Sequence, residues 1–263
     1  MRKPTLKGFD NPVHAVVQGA SRGLGLAFVR QLVERDNVER ILATCRNPSK
    51  ATELQSLADD SPDRLHITAL DVTDEQQIAE AADVASDKLG HFDLLLNVAG
   101  FLHDKSEDIR PEKKLDDVDP DATMRAFRVN SLGPLLVLKH FSSLIRRDRR
   151  CVVANLSARV GSIGDNHLGG WYSYRASKAA QNMFTRTAAI ELGRHRRTGD
   201  TICVALHPGT VDTELSKPFR SNIPEDQVFP TQRAARQLLD VIGDLEPDDS
   251  GQFFDWAGES VQW

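Results

Sequence analysis

The chain has 263 residues, with 33 lysines and arginines against 38 aspartates and glutamates, a formal charge of −5, and 40% hydrophobic residues. That apolar share excludes a disordered or collagen-like chain. The mild acidity excludes a dedicated nucleic-acid binder, whose phosphate contacts need a concentrated positive field.

Apolar, β-branched runs alternate with amphipathic stretches from end to end. Strands are predicted at His14–Gln18, Arg40–Thr44, Leu65–Leu70, Asp93–Asn97, Cys151–Leu156, Thr201–Leu206 and Gln252–Phe254. Between them the spacing predicts helices over Leu24–Glu34, Asp74–Lys88, Asp121–Ile145, Ser173–Leu192 and Thr231–Ile242, the third bent at Gly133-Pro134. Strand–helix alternation with crossovers of this length implies an α/β fold: a doubly wound, parallel sheet of about seven strands with helices on both faces. No repeat or low-complexity linker divides the chain, so residues 1–263 are expected to form one domain. Two segments break the rhythm. Phe101–Pro120, more than half of it charged, and Asp212–Pro230, with three prolines, both follow strands at their C-terminal ends, where open α/β sheets bind ligands. They are expected to wall a substrate pocket, although a solvated loop is nearly as good a reading of the first.

The first strand runs into Gly19-Ala20-Ser21-Arg22-Gly23-Leu24-Gly25 and then a helix. Phosphate binding needs close backbone approach and N–H donors at a helix N-terminus, and a side chain larger than hydrogen obstructs both. The spacing G-x-x-x-G-x-G resembles the short-chain dehydrogenase/reductase family, and the resemblance covers essentially the whole chain. The family usually places threonine before the first glycine; here it is Gln18. The resemblance implies a Rossmann-type domain. It assigns cofactor contacts to Gly19, Ser21, Arg22, Gly23, Leu24 and Gly25, to Asp71-Val72 beside adenine, and to Asn97, Ala99 and Gly100 of an N-x-A-G motif. Pro208-Gly209-Thr210-Val211-Asp212-Thr213 resembles P-G-x-V-x-T, with Pro208, Gly209, Val211 and Thr213 at the nicotinamide. An NAD site would place a carboxylate at the end of the second strand. This strand ends Ala43-Thr44-Cys45-Arg46, and Arg46 with Arg22 offers donors suited to a phosphate, so NADP(H) is expected over NAD(H).

Tyr174-Arg-Ala-Ser-Lys178 is a Y-x-x-x-K sequence at a predicted helix start, which puts phenol and ammonium on one face. Hydride reduction of a carbonyl needs an acid for the developing alkoxide, and the reverse oxidation needs a base. The resemblance implies Tyr174 as that acid/base, with Tyr174 and Lys178 also touching the cofactor. It gives Asn130 the role of holding, through its main-chain carbonyl, a water that links the lysine to solvent. The family's strand-end serine is displaced: anchoring on Gly161 puts Ala158 in its place, and Ser157 lies one residue earlier, where a regular strand faces it the other way. Ser157 is kept as a candidate that requires the strand end to deviate.

The stretch from Gly161 to Tyr174, with Gly251–Trp263, looks like the branch containing C-factor signalling proteins and sniffer-type carbonyl reductases. Leu168, Trp171, Phe219 and Phe101 are candidate pocket linings, with core or interface an equal reading of each. Two functions follow: an NADP(H)-dependent oxidoreductase acting on an aldehyde or ketone (in reverse, an alcohol), or an NADP-binding signalling protein of C-factor type with little turnover. The family resemblance also implies a homodimer or homotetramer packed through the Asp121–Ile145 and Ser173–Leu192 helices.

Other features read as structural. His66, His167, His195 and His207 lack metal-ligand spacing, so no metal is expected. Arg146–Arg150 and Arg194–Arg197 suit helix C-termini, and Asp71 and Asp74 suit a helix start. Cys45, Cys151 and Cys203 sit in apolar runs and read as buried thiols of a reducing compartment. The segment Met1–Gly8 has charge but no following apolar stretch, and no apolar run reaches the ~18–20 residues that span a bilayer, so no membrane partner and a cytoplasmic location are expected.

Overall fold

Strands with apolar side chains on both faces are stable only when both faces are covered, and the chain meets that requirement with helices. In the computed structural model, which describes residues 4–10, 12–146, 148–194 and 200–263, the strands are β1 (Val13–Gln18), β2 (Val38–Cys45), β3 (Leu65–Ala69), β4 (Leu94–Asn97), β5 (Cys151–Leu156), β6 (Thr201–His207) and, after a two-residue pair β7 (Thr210–Val211) and β8 (Val228–Phe229), β9 (Phe253–Asp255). They form a seven-stranded sheet in the order β3-β2-β1-β4-β5-β6-β9, every pairing parallel. The order reverses between β1 and β4, which opens a crevice at their C-terminal ends.

The helices are α1 (Gly23–Val33), α2 (Thr52–Asp59), α3 (Glu75–Leu89), α4 (Pro120–Phe127), α5 (Gly133–Phe141), α6 (Tyr172–Arg194) and α7 (Thr231–Asp244). Alternation along the strands feeds two cores. Ala15, Val17, Ile41, Leu94, Leu96 and Val152 pack on the side of α1 and α7, and Val16, Leu42, Leu95, Val153 and Cys203 on the side of α3, α5 and the C-terminal part of α6. The three cysteines are free and buried; burial pushes the Cys203 thiol up to about 12. Asp74 caps α3 by accepting from the Gln76 and Gln77 amides.

Two sequence expectations change. α2 was not predicted: only Leu54 of its eight residues is buried, too little apolar periodicity to read. The predicted Asp121–Ile145 helix is three pieces, because a π segment, Arg128–Leu132, separates α4 from α5, and the helix stops at Phe141. Its signature is the Gly133 N–H donating to the Arg128 carbonyl. A β-carbon on Gly133 would lie 2.7 Å from Cβ of Val72, so only glycine permits this packing. His195, Arg147, Arg196 and Arg197 lie outside the described residues. Among those described, no helix is long and apolar enough to cross a membrane, and no cluster of metal-ligating side chains occurs.

Candidate active site

The glycine turn sits at the crevice. Gly19 and Gly23 adopt φ of 86° and 57°, and the Gly19 and Ala20 amides donate to the Thr44 carbonyl of β2. A β-carbon on Gly19 would lie 2.7 Å from the Ala99 nitrogen, and one on Gly25 2.1 Å from the Gly19 carbonyl oxygen. Gly25→Ala is therefore expected to distort the turn: thermal denaturation should show a Tm lower by several degrees, from an overpacking cost of about 1–3 kcal/mol. The Gln18 side chain accepts from the Ala99 amide, so the residue that departs from the family's threonine itself ties β1 to the N-x-A-G segment.

This turn fits an anionic group. The N-terminus of α1 has no side-chain cap and no acidic residue in its first turn, leaving its donors and positive dipole end for a ligand. Arg22 and Arg46 are exposed, and neither forms a salt bridge among the described residues. Asp71 is turned to its own loop, accepting from the Thr73 amide and hydroxyl. On the far wall, Thr213 lies against Gly23, where an added β-carbon would come within 3.3 Å of its methyl group. The P-G-x-V-x-T loop and the glycine turn thus close on the same crevice.

Beside them stands Asn130, fully buried in the π segment. Its carboxamide accepts from the Phe101 amide at 2.7 Å, donates to the Phe101 carbonyl at 2.8 Å and reaches Ser177 Oγ at 3.0 Å. One side chain thereby fastens the β4 loop to α6. Pro134, four residues on, has no N–H to offer the Asn130 carbonyl, which loses its regular helical partner. Tyr174 and Lys178 occupy one face of the first turns of α6, the ammonium 6.0 Å from the phenol ring centre. Both are buried, at 8% and 3% exposure. Burial pushes the Tyr174 phenol up and pulls the Lys178 ammonium down to about 7. Gly161 makes this possible locally, since a β-carbon there would meet Cβ of Lys178 at 2.7 Å.

Ser157 is not brought to this site. Its hydroxyl donates to Asn182 Oδ1 at 2.6 Å, eight residues along α6 from Tyr174, about 12 Å of helix rise. Strand alternation continues to the end of β5, pointing Asn155 and Ser157 alike into α6. Nor does Leu168 line the pocket, for it is 91% exposed. The left-handed backbone of Gly169, Gly170 and Trp171 turns the chain here. Trp171 instead packs edge-on against Phe219 at 4.9 Å and Tyr174 at 6.1 Å. His103 joins the same wall, touching Phe219 and hydrogen-bonding the Glu214 and Leu215 carbonyls, so the two long loops meet here. Phe101 lies under the Arg125 guanidinium. Sequence reasoning missed Glu112, a carboxylate 5% exposed that accepts from the Ser173 hydroxyl and amide at the start of α6, while its carbonyl holds the Trp171 amide. Nothing in a run of charged residues distinguishes the one that folds inward.

A buried phenol and amine beside an anion cradle, under an aromatic wall, can move a proton to or from a substrate oxygen. The NADPH-bound carbonyl reductase from chicken fatty liver superposes with a TM-score of 0.85 at 31% identity, covering 97% of this chain and 100% of its own. An NADP-bound short-chain dehydrogenase/reductase of Burkholderia multivorans gives 0.76 at 28%, with the same coverages. Among curated sequences, the 1-hydroxy-2-glutathionyl-2-methyl-3-butene dehydrogenase of Rhodococcus sp. strain AD45 is 32% identical over 252 residues, 94% of this chain and 98% of its own. The C-signal protein of Myxococcus xanthus is 38% identical over 149 residues, 57% of this chain and 83% of its own. With the short chain dehydrogenase profile matching residues 13–224 as well, the chain belongs to that family of oxidoreductases.

Proposed function

We propose that the protein is an NADP(H)-dependent oxidoreductase that moves a hydride between the nicotinamide and the carbonyl carbon of an aldehyde or ketone, within a single domain spanning residues 1–263. The observation that carries this reading is the placement of Tyr174 and Lys178, both buried, on one face of α6 at the C-terminal edge of the sheet. When bound, the nicotinamide supplies the hydride. Tyr174 gives its phenolic proton to the developing alkoxide in reduction, or takes the alcohol proton in oxidation. Lys178, when protonated, favours the tyrosinate by its charge, and the Asn130 carbonyl is the candidate anchor for a water returning protons from solvent. Gly19, Ser21, Arg22, Gly23, Leu24 and Gly25 would hold the phosphates, Asp71, Val72, Asn97, Ala99 and Gly100 the adenosine, and Pro208, Gly209, Val211 and Thr213 the nicotinamide.

The exposed pair Arg22 and Arg46 supports NADP(H) over NAD(H). Arg46→Asp is expected to weaken NADPH binding tenfold to a hundredfold, the loss of a charge-assisted hydrogen bond of about 1.5–3 kcal/mol, with NADH binding unchanged or improved. Fluorescence titration reads both, and equal NADPH affinity in the variant removes the basis for the preference. Met124 of α4, Leu132 of the π segment, and Met183 and Ile190 of α6 are exposed and offer apolar surface that a second copy of the chain would cover.

Ala158 and the Ser157–Asn182 bond favour a second reading, an NADP-binding regulatory protein of C-signal type with little turnover. Losing one oxyanion donor costs about 10²–10³ in rate but leaves the proton donor in place. NADPH consumption across a panel of aldehydes and ketones, with Tyr174→Phe as control, separates the two. Consumption that depends on Tyr174 supports the oxidoreductase; NADPH binding without consumption on any carbonyl supports the regulator.

A further inference from the structure

The Lys178 amine makes two hydrogen bonds in the described structure, one to the Leu156 carbonyl at 2.6 Å and one to Gln181 Oε1 at 2.8 Å. Gln181 is 1% exposed, and its amide nitrogen finds no acceptor among the described residues. Burying an amide with an unpartnered donor is unfavourable, and an apolar residue would fit the same helix face without that cost. The carbonyl end of this side chain is therefore the informative one, and it is spent on Lys178. Gln181 also borders a cavity of about 10 Å³ with Ser131, Asn155 and Thr185, room for one water beside the helix.

We infer that Gln181 is a positioning residue for Lys178, its amide oxygen holding the amine against the end of β5 and favouring the ammonium over the neutral amine. The inference rests on the proposed role of Lys178 but concerns its protonation, which exists with or without turnover. A hydrogen bond accepted from a charged donor is about twice as strong as one from a neutral donor, so the acceptor biases the equilibrium toward charge. The Leu156 carbonyl exerts the same bias from the end of β5, and among the described residues no charged group adds to it. On α6 itself the ionisable neighbours are Tyr174 and Arg175, whose guanidinium donates to the Gly170 and Val160 carbonyls. From the surrounding elements, Arg125 is tied to Asp104 and Glu107, Arg159 to Asp165 and Asp255, and Glu112 to Ser173. Arg128 is exposed, and burial with the nearby Arg159 charge pulls His207 down to about 4, leaving it neutral. Among the described residues none of these forms an ion pair with Lys178.

The test reads the lysine's protonation through stability. Urea denaturation of the protein and of its Lys178→Met partner from pH 5.5 to 10 gives a stability difference that is constant while Lys178 stays protonated in the fold and shrinks above that, so the bend in the curve marks the titration midpoint of Lys178 in the fold. Repeating the pair with Gln181→Met, which keeps length and loses the polar atoms, should move the midpoint down by about one pH unit, the effect of losing a hydrogen bond to a charge. Gln181→Leu gives the same reading if the methionine variant folds poorly. Coincident midpoints with and without Gln181 overturn the inference. The alkaline limb of NADPH-dependent carbonyl reduction should shift acidward by the same amount. If the stability midpoints move but no carbonyl is reduced, Gln181 keeps its role and the catalytic reading falls. If reduction occurs and neither midpoint nor limb moves, the reverse holds.

Discussion

Tyr174→Phe should lower kcat for carbonyl reduction about 10³-fold while leaving NADPH affinity within about twofold and Tm unchanged. A positioned general acid typically contributes 10²–10⁴ in rate, and the upper half of that range applies where water cannot substitute. Tyr174 is buried under Trp171, and the other groups nearby are committed elsewhere. His103 is bound to main-chain carbonyls, Ser157 to Asn182, and Lys178 to Leu156 and Gln181. The phenol hydroxyl makes no hydrogen bond among the described residues, so phenylalanine strands no buried partner and the fold should not register the change. Single-turnover NADPH fluorescence measures the rate and thermal denaturation the fold. A variant retaining more than a tenth of the wild-type rate would mean that the proton comes from elsewhere.

Much of this site could be read from sequence because its signals are local. The glycine turn needs backbone room within seven residues, and the positive φ at Gly19 and Gly23 follows from that need. Tyr174 and Lys178 share a helix face by spacing alone. Where the reading failed, the deciding contacts are remote in sequence. Ser157 is settled by Asn182, twenty-five residues away. Leu168 is the exception: the three left-handed residues that follow it are local, but the sign of φ at Trp171 is not written in its residue type. The bend after Asp121 was legible in Gly133-Pro134, yet its form, a π segment, depends on Val72 pressing against Gly133 from another layer of the fold. Glu112 and Gln181 were invisible for a related reason. A polar residue announces itself as surface, and only tertiary packing shows that these two point inward.

Lys178→Met should abolish most activity and at the same time stabilise the fold below neutral pH. In the unfolded chain the lysine titrates near 10.5; in the fold, burial lowers it to about 7. Between those values the unfolded state binds more protons than the folded state, so this residue's contribution to stability rises with pH across that window and is at its least favourable below about 7. Each unit of depression corresponds to about 1.4 kcal/mol, which places the penalty at several kcal/mol in acid. Methionine has no charge to desolvate and fills a similar volume. The stability difference between variant and wild type should therefore be largest below pH 7 and shrink steadily toward pH 10. Urea denaturation at fixed ionic strength measures it, and a difference independent of pH would show that the amine is solvated in the fold. A lysine held in a dry site at the expense of stability is what a role in proton transfer requires, since an ammonium in water would neither titrate near neutrality nor act strongly on a neighbouring phenol.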